Sequence, residues 1–366
     1  MVDVARRALW WTGPVTNAGF GKPENGFRVH KRSLEPTTMA LGVERTPIDR
    51  FFVCNVDDAP QVDPGEWVLT VTGAAAATQV SLSLVDLQTL PQHEVDAWLE
   101  CAGNGRRLFE LVDGHLPSTL EADTQWTLGA MGMASWRGPR LADVLALAEP
   151  TATAAWVSPR GLDHDNVEGE PPRMCMPIDK ALDPDTIIAL EMNGRPLAAA
   201  HGAPARVLVP GWIGAYSMKW VEQIDIAAEW VPSWRNDVYY RLRDPDGTDH
   251  GPATTHPVKS SLALEWGEVV PAGPVDIVGY ARSGTGRVTA VEWSLDDGPW
   301  HDADLVELPG RWAWTPFRIR TELAPGQHQI RTRATDSNGD TQPDSVSYNP
   351  STILWNAVTP HAVVAR

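Results

Sequence analysis

Cys101 stands in the segment Leu99-Glu-Cys-Ala-Gly-Asn-Gly-Arg-Arg-Leu108, where a thiol meets small residues and two arginines. Nearby cations and backbone N–H groups stabilise a thiolate, and Gly103 and Gly105 let the backbone approach a bulky anion closely. Three roles suit such a sulfur: metal ligand, nucleophile, or small apolar filler. Arg106 and Arg107 read either as solvated charge or as binders of phosphate and oxyanion groups. A second chemistry-bearing segment runs from His201 to Lys219. There Arg206 opens the apolar run Val207 to Val209, a costly place for a charge without a partner. An anion such as a phosphate, or a nearby Asp or Glu, would satisfy it, and His201 and Lys219 bring more positive charge to the same stretch. Gly211 and Gly214 permit a phosphate-cradling loop, although the spacing is neither a Walker nor a dinucleotide pattern.

These residues need elements to position them. Strand character from Val95 to Leu99 runs straight into Ala-Gly-Asn-Gly, which places Cys101 at a strand end where a site can open. Residues 49–55 and 67–73 read as strands, while 83–90 and 141–148 carry helical spacing with Ser83 as an N-cap. Strands and short helices alternate in this way through residue 230, the pattern of a mixed α+β domain. From about residue 255 the helical signal stops. Short runs at 275–281, 288–294, 317–320 and 328–334 then alternate with Gly, Pro and Asp turns, as in a β-sandwich. Turn clusters at 244–247 and 251–252 mark the junction. The chain therefore divides into an irregular N-terminal segment (1–45), an α+β domain (46–250) and an all-β sandwich domain (251–366).

Composition narrows the partners. The 366 residues are 43% hydrophobic, enough for more than one sizeable core. Forty-seven acidic residues against 30 basic ones give a net charge of −17, which argues against nucleic acid or an anionic membrane surface. The same charge suits a basic electron-transfer partner, or simple solubility. Cys54, Cys101 and Cys175 show no Cys-x-x-Cys spacing, so neither a zinc knuckle nor a disulfide framework is indicated. The first 30 residues contain no signal-peptide core, and no 18-residue apolar run occurs anywhere. The expectation is a cytoplasmic protein, or a periplasmic one if a leader has been removed.

The accumulated motifs resemble the sulfite oxidase family of molybdenum-cofactor (molybdopterin) oxidoreductases over nearly the whole chain. Cys101 to Asn104 is similar to that family's Cys-Ala-Gly-Asn segment. Trp126, Gly129-Ala130 and Trp136-Arg-Gly138 keep its spacing, as do Gly161-Leu-Asp163, Glu191 to Gly194, His201-Gly202 with Arg206, and Val209 to Gly211 with Lys219-Trp220. In the C-terminal part, Ser294 to Trp300, Ala334 to Asp336, Gln342 to Asp344 and Trp355-Asn356 look like its immunoglobulin-like dimerisation domain.

The resemblance implies that Cys101 is the thiolate ligand of molybdenum, whose other sulfur ligands come from a pterin dithiolene; soft sulfur suits this metal. It implies that the pterin and its phosphate are held by His201, Arg206, Ser217, Met218, Lys219 and Asp163, and by the stretch Phe52, Val53, Cys54, Asn55 and Val56. Tyr240 would be the active-site tyrosine, with Tyr239 as the other register, and Arg106 and Trp126 would form the surrounding shell. The implied reaction is oxygen-atom transfer, with the protein orienting the cofactor and stabilising the developing oxyanion. Electrons would pass to an external acceptor, a cytochrome or oxygen, with no haem in this chain, and the chain would be a homodimer. The sequence departs from the family where substrate is bound. Cys54 and Val358 stand where arginines are expected, and two lost charge-assisted contacts at about 1.5–3 kcal/mol each would weaken oxyanion binding unless Arg106, Arg107 or Arg241 replaced them. Sulfite is the expected substrate, with another sulfur compound, a sulfoxide or another oxo donor as alternatives. A cysteine hydrolase using Cys101 and His201, or a non-catalytic β-sandwich scaffold, are the readings from other classes.

Overall fold

The structure, a computed structural model, describes residues 22, 26–30, 33–55, 59–115, 124–163 and 171–366. Strands dominate it. Among the described residues the α-helices run to six residues at most, and each has a local cause. Leu84–Thr89 starts on a capping box in which Ser83 and Asp86 satisfy each other's backbone N–H groups. It stops at Leu90, which is extended ahead of Pro91.

The first domain packs two principal sheets. A five-stranded sheet runs in the order Val80–Ser83, Val68–Thr72, Val221–Ala227, Trp156–Gly161, Met176–Pro177. Its Val221–Ala227 strand is parallel to Val68–Thr72. Leu69, Val71, Ile224 and Ile226 point from it into a fully buried core shared with Leu141, Val144 and Leu145 of the helix Leu141–Ala146. A four-stranded sheet carries the long antiparallel pair Gln92–Glu100 and Met131–Pro139. Along Gln92–Glu100 the two-residue period turns Val95, Ala97 and Leu99 toward Trp136 and Phe51. Trp98, on the other face, packs with Met131, Met133, Tyr280 and Trp314. Both faces are buried because the second domain covers the outer one.

That second domain is a β-sandwich. One sheet holds Lys259–Leu262, Gly273–Arg282, Thr315–Leu323 and Asp304–Leu305; the other holds Glu268–Val270, His361–Ala365, Gly326–Asp336, Val288–Leu295 and His301–Asp302. Ile277, Phe317, Ile319, Ile330 and Ala334 fill the space between them. Where the domains meet, Trp98 N–H donates to Trp312 O (3.1 Å), Ile213 N–H to Thr254 O (2.7 Å) and Leu354 N–H to Ala102 O (2.8 Å).

Two expectations fail locally. Residues 49–55 do not form a strand: Ile48–Arg50 is a 3-10 turn behind Pro47, and only Val53 makes a β-bridge, to Leu34. Phe51 and Phe52 stack on each other instead of alternating across a sheet, for pairing with the strand Ser33–Pro36 is confined to the single Val53–Leu34 bridge. The N-terminal segment is not irregular where it is described, for Phe27–His30 and Ser33–Pro36 form an antiparallel hairpin with Ser33 to Pro36 fully buried.

Candidate functional site

A cavity of about 780 Å³, including its open mouth, lies where the ends of these elements converge. Cys101 reaches it from the end of Gln92–Glu100. Its N–H donates to Ala130 O (2.9 Å) and its carbonyl accepts from Asn104 N–H (2.9 Å), while the Asn104 side chain accepts from Ala130 N–H (3.1 Å) and donates to Glu100 Oε1 (2.8 Å). Gly105, at φ +92°, turns the chain into the helix Arg106–Leu111 against Trp355. Cys54 faces Cys101 across the cavity, and the two side chains are hydrogen-bonded. The Cys101 thiol donating to Cys54 sulfur, helped by the charges of Lys219 and Arg235, lowers the Cys54 pKa; the same bond and burial raise that of Cys101.

At the deep end, cations crowd together. Arg206 is buried, donates to His201 O (3.1 Å) and Ser217 O (2.7 Å), and lies over the Trp136 ring at 5.2 Å. Its Nε has no hydrogen-bond partner among the described residues, and no carboxylate there pairs with it. Burial lowers its pKa to about 9. Lys219 donates to Asn55 Oδ1 and to Ala200 O (3.2 Å); burial and the Arg206 charge bring it down to about 7. His201 is hydrogen-bonded to Lys22 Nζ at 2.8 Å, and burial together with Lys22, Arg206 and Lys219 pushes it well below the usual imidazole range. Asp163 supplies the carboxylate in the wall that bears on Lys219. Positive charge is thus concentrated in a poorly solvated pocket, an arrangement that favours a polyanion.

Most residues singled out from the sequence are brought together. Phe52, Cys54, Cys101, Asp163, His201, Arg206, Ser217, Met218, Lys219 and Tyr240 all line the cavity, and Asn55 touches it through Lys219. Tyr240 rather than Tyr239 faces inward; Tyr239 stacks on Trp234, with ring centroids 5.2 Å apart. Burial and the neighbouring Tyr239 raise the Tyr240 pKa well above its ordinary value.

Others stand apart. Val53 is committed to Leu34 through both backbone groups and is buried beside Leu34 and Ala200, so it offers the cavity nothing. Arg106 lies behind the Cys101 loop, its guanidinium held by the carbonyls of Thr124 (2.8 Å), Thr352 (3.3 Å) and Ser351 (3.4 Å). Its charge still bears on Cys101. Trp126 is buried behind Phe52, edge to face at 6.3 Å. Val56 lies outside the described residues. Arg107 pairs with Glu110 at 3.4 Å and Arg241 with Asp249 at 2.5 Å, so neither replaces a missing arginine in the cavity.

Arg235 does face the cavity, and sequence reasoning missed it. It opens a π-turn, Arg235–Tyr239, closed by Tyr240 N–H donating to Arg235 O at 2.7 Å. Such turns carry an extra residue and often mark functional sites. The cue in the sequence was a lone arginine just ahead of the tyrosine pair. Lys22 was missed for a different reason, its position far from any motif.

The site does not suit a cysteine hydrolase. His201 is held by Lys22 and depressed by its cationic neighbours, while the Cys101 thiol bonds to Cys54; among the described residues no Cys–His pair forms to generate a nucleophile. Among the described residues no three His, Cys, Asp or Glu side chains converge.

Fold and cavity together define a molybdopterin-binding oxidoreductase domain joined to a dimerisation domain. The family described as the oxidoreductase molybdopterin binding domain matches residues 56–234, and the Mo-co oxidoreductase dimerisation domain matches residues 254–361. The chain belongs to the sulfite oxidase family. Sulfite oxidase of Gallus gallus is 37% identical over 359 residues, covering 90% of this chain and 75% of that protein. The Arabidopsis thaliana sulfite oxidase is 32% identical, covering 85% and 84%. The mitochondrial sulfite oxidase of Homo sapiens is 36% identical over 339 residues, and the chain spans 60% of its length. In fold, the sulfane dehydrogenase SoxCD of Paracoccus pantotrophus superposes with a TM-score of 0.80 at 24% identity, covering 97% of this chain and 95% of that one.

Proposed function

We propose that this chain is a molybdenum-cofactor oxidoreductase that oxidises sulfite or a closely related sulfur compound and passes the electrons to an external acceptor. The observation that carries the proposal is the pocket itself, where Arg206 Nε has no partner among the described residues and Lys219 and His201 are depressed by burial, next to a cysteine. A phosphate-bearing cofactor supplies the missing negative charge, and Cys101 supplies sulfur to its metal.

In this assignment His201, Arg206 and Lys219 bind the cofactor's phosphate, while Asp163, Ser217, Met218, Asn55 and Phe52 border it. When bound, the group supplies two-electron oxygen-atom transfer chemistry. The protein's residues do the rest. Gln92–Glu100 and the Asn104 hydrogen bonds hold Cys101 in one position. Arg106, fixed by three carbonyls, bears on the Cys101 sulfur with its positive charge. Phe51, Phe52 and Leu99 keep water from one wall. Tyr240 presents a hydroxyl that burial keeps protonated, a donor for a substrate oxygen. Arg235 supplies the cation that attracts an anionic substrate, in place of the arginines lost at Cys54 and Val358.

The net charge of −17 suits a basic one-electron carrier such as a cytochrome, and the C-terminal domain match supports a homodimer. Cys54, standing in the wall where a cationic arginine was expected, favours, as a second reading, a sulfur compound carrying less negative charge than sulfite. Sulfite-dependent ferricyanide reduction by protein shown to contain molybdenum separates the two. Turnover supports sulfite; none from fully loaded protein rejects it and directs the search to sulfoxides and other sulfur substrates.

A further inference from the structure

Cys54 and Cys101 reach the same cavity from two separately anchored pieces of chain. Cys54 follows Val53, whose N–H and C=O are both bonded to Leu34, and precedes Asn55, whose N–H donates to Ser33 Oγ at 3.1 Å. Cys101 is pinned through Ala130 and Asn104. Between these anchors the two side chains are left in direct hydrogen-bonded contact, packed on the same apolar cluster and open to the cavity. All three cysteines are unpaired in this structure. The third, Cys175, is buried elsewhere beside Asn236 and does not line the cavity.

We propose that Cys54 and Cys101 are a dithiol pair that closes to a disulfide when no cofactor is in place, so that loading of the site requires a reductant. The inference rests on the assignment of Cys101 as the metal ligand, because only then does the bond block loading and only then does a bound cofactor protect the pair.

The step needs a small disulfide as oxidant. One cysteine sulfur attacks a sulfur of that disulfide, forming a mixed disulfide and releasing one thiol. The second cysteine sulfur displaces the remaining half as another thiol. The pair loses two electrons and two protons, and the oxidant gains both. With its sulfur tied to Cys54, Cys101 has no thiolate to offer a metal. A thiol reductant reverses the exchange. Both backbones are already held, with the two side chains in contact before any bond forms.

The test uses the full-length chain made twice, in cells able and unable to make the cofactor. Each preparation is exposed to oxidised glutathione, then alkylated, digested and mapped by mass spectrometry. In the cofactor-free chain we expect a peptide cross-linked between Cys54 and Cys101, reversed by dithiothreitol, and a fall in titratable thiols from three to one. A Cys175→Ser chain keeps the cross-link, whereas a Cys54→Ser chain loses it. Thiols that all persist in the cofactor-free chain, or a bond that recruits Cys175, overturn the proposal. A cross-link formed equally in chain shown to carry molybdenum upholds the pair but overturns Cys101 as the ligand.

Discussion

Glu100→Gln should loosen the joint between the two domains and the cysteine loop with it. The Glu100 carboxylate is 1% exposed, lies one residue before Cys101, and is met by Lys259 Nζ at 3.0 Å and by Arg282 Nε. Lys259 also donates to Asn104 O (2.9 Å), and His256 Nε2 bonds to Glu100 O (3.1 Å). Burial pushes the carboxyl pKa up, yet Arg282, Lys259 and His256 outweigh it and hold the group well below the carboxylate range. Its contribution is therefore present above pH 4.5 and lost as pH falls through the lower folded value. Removing one partner of a buried pair costs about 3–5 kcal/mol, and here the variant leaves two buried cations facing a neutral amide. For a chain of 366 residues, unfolding with about 2.1 cal/mol/K per residue, that is a fall in Tm of about 4–7 °C. Lys259 is lowered by burial to about 8 even with the carboxylate present, so it is mostly neutral at pH 9. The loss should therefore be smaller at pH 9 than at pH 7. Replacing Glu100, Lys259 and Arg282 together by apolar residues of similar size should restore most of the stability. Thermal and urea unfolding of the three proteins checks this. A loss below about 1 kcal/mol at pH 7, or a triple variant no better than Glu100→Gln, would refute the reasoning.

Lys219→Met should raise the Tm of the cofactor-free chain by removing a poorly solvated cation, yet lower the molybdenum retained after dialysis. Burial also lowers Lys22 to about 7, so stability of the cofactor-free chain should rise between pH 7 and pH 9; the unfolded state holds both lysine protons there and the folded state does not. Tyr240→Phe should depress kcat, whereas Tyr239→Phe, altering a ring stacked on Trp234, should leave it nearly unchanged; parallel turnover assays decide this. Arg235→Leu should raise KM for an anionic substrate about tenfold or more, the loss of one charge-assisted hydrogen bond, and steady-state kinetics at constant molybdenum content would show it.

What was legible in the sequence lay within short segments. Cys101 with its glycines, and Arg206 opening an apolar run, announce themselves because their chemistry conflicts with ordinary packing over a few residues. The Ser83 cap and the short apolar runs of the β-sandwich were legible for the same local reason. The rest depends on contacts that spacing does not encode. Glu100 meets Lys259 and Arg282, 159 and 182 residues away, so its burial and pairing appear only once the second domain is folded onto the first. Arg235 enters the cavity through an extra residue in a π-turn that helical or strand periodicity passes over. Residues 49–55 carry a short apolar run like that of a strand, but the run serves stacking of Phe51 on Phe52 and leaves Cys54 against Cys101. Arg106 looked like an oxyanion binder by its position and instead braces the loop from behind.

The most direct test of the central claim is molybdenum-edge X-ray absorption on the loaded protein and on its Cys101→Ser variant. The account predicts that the variant's metal loses one sulfur neighbour and that ferricyanide reduction disappears with it. An unchanged sulfur count in a variant that still holds molybdenum would contradict the assignment of Cys101 as the metal's ligand.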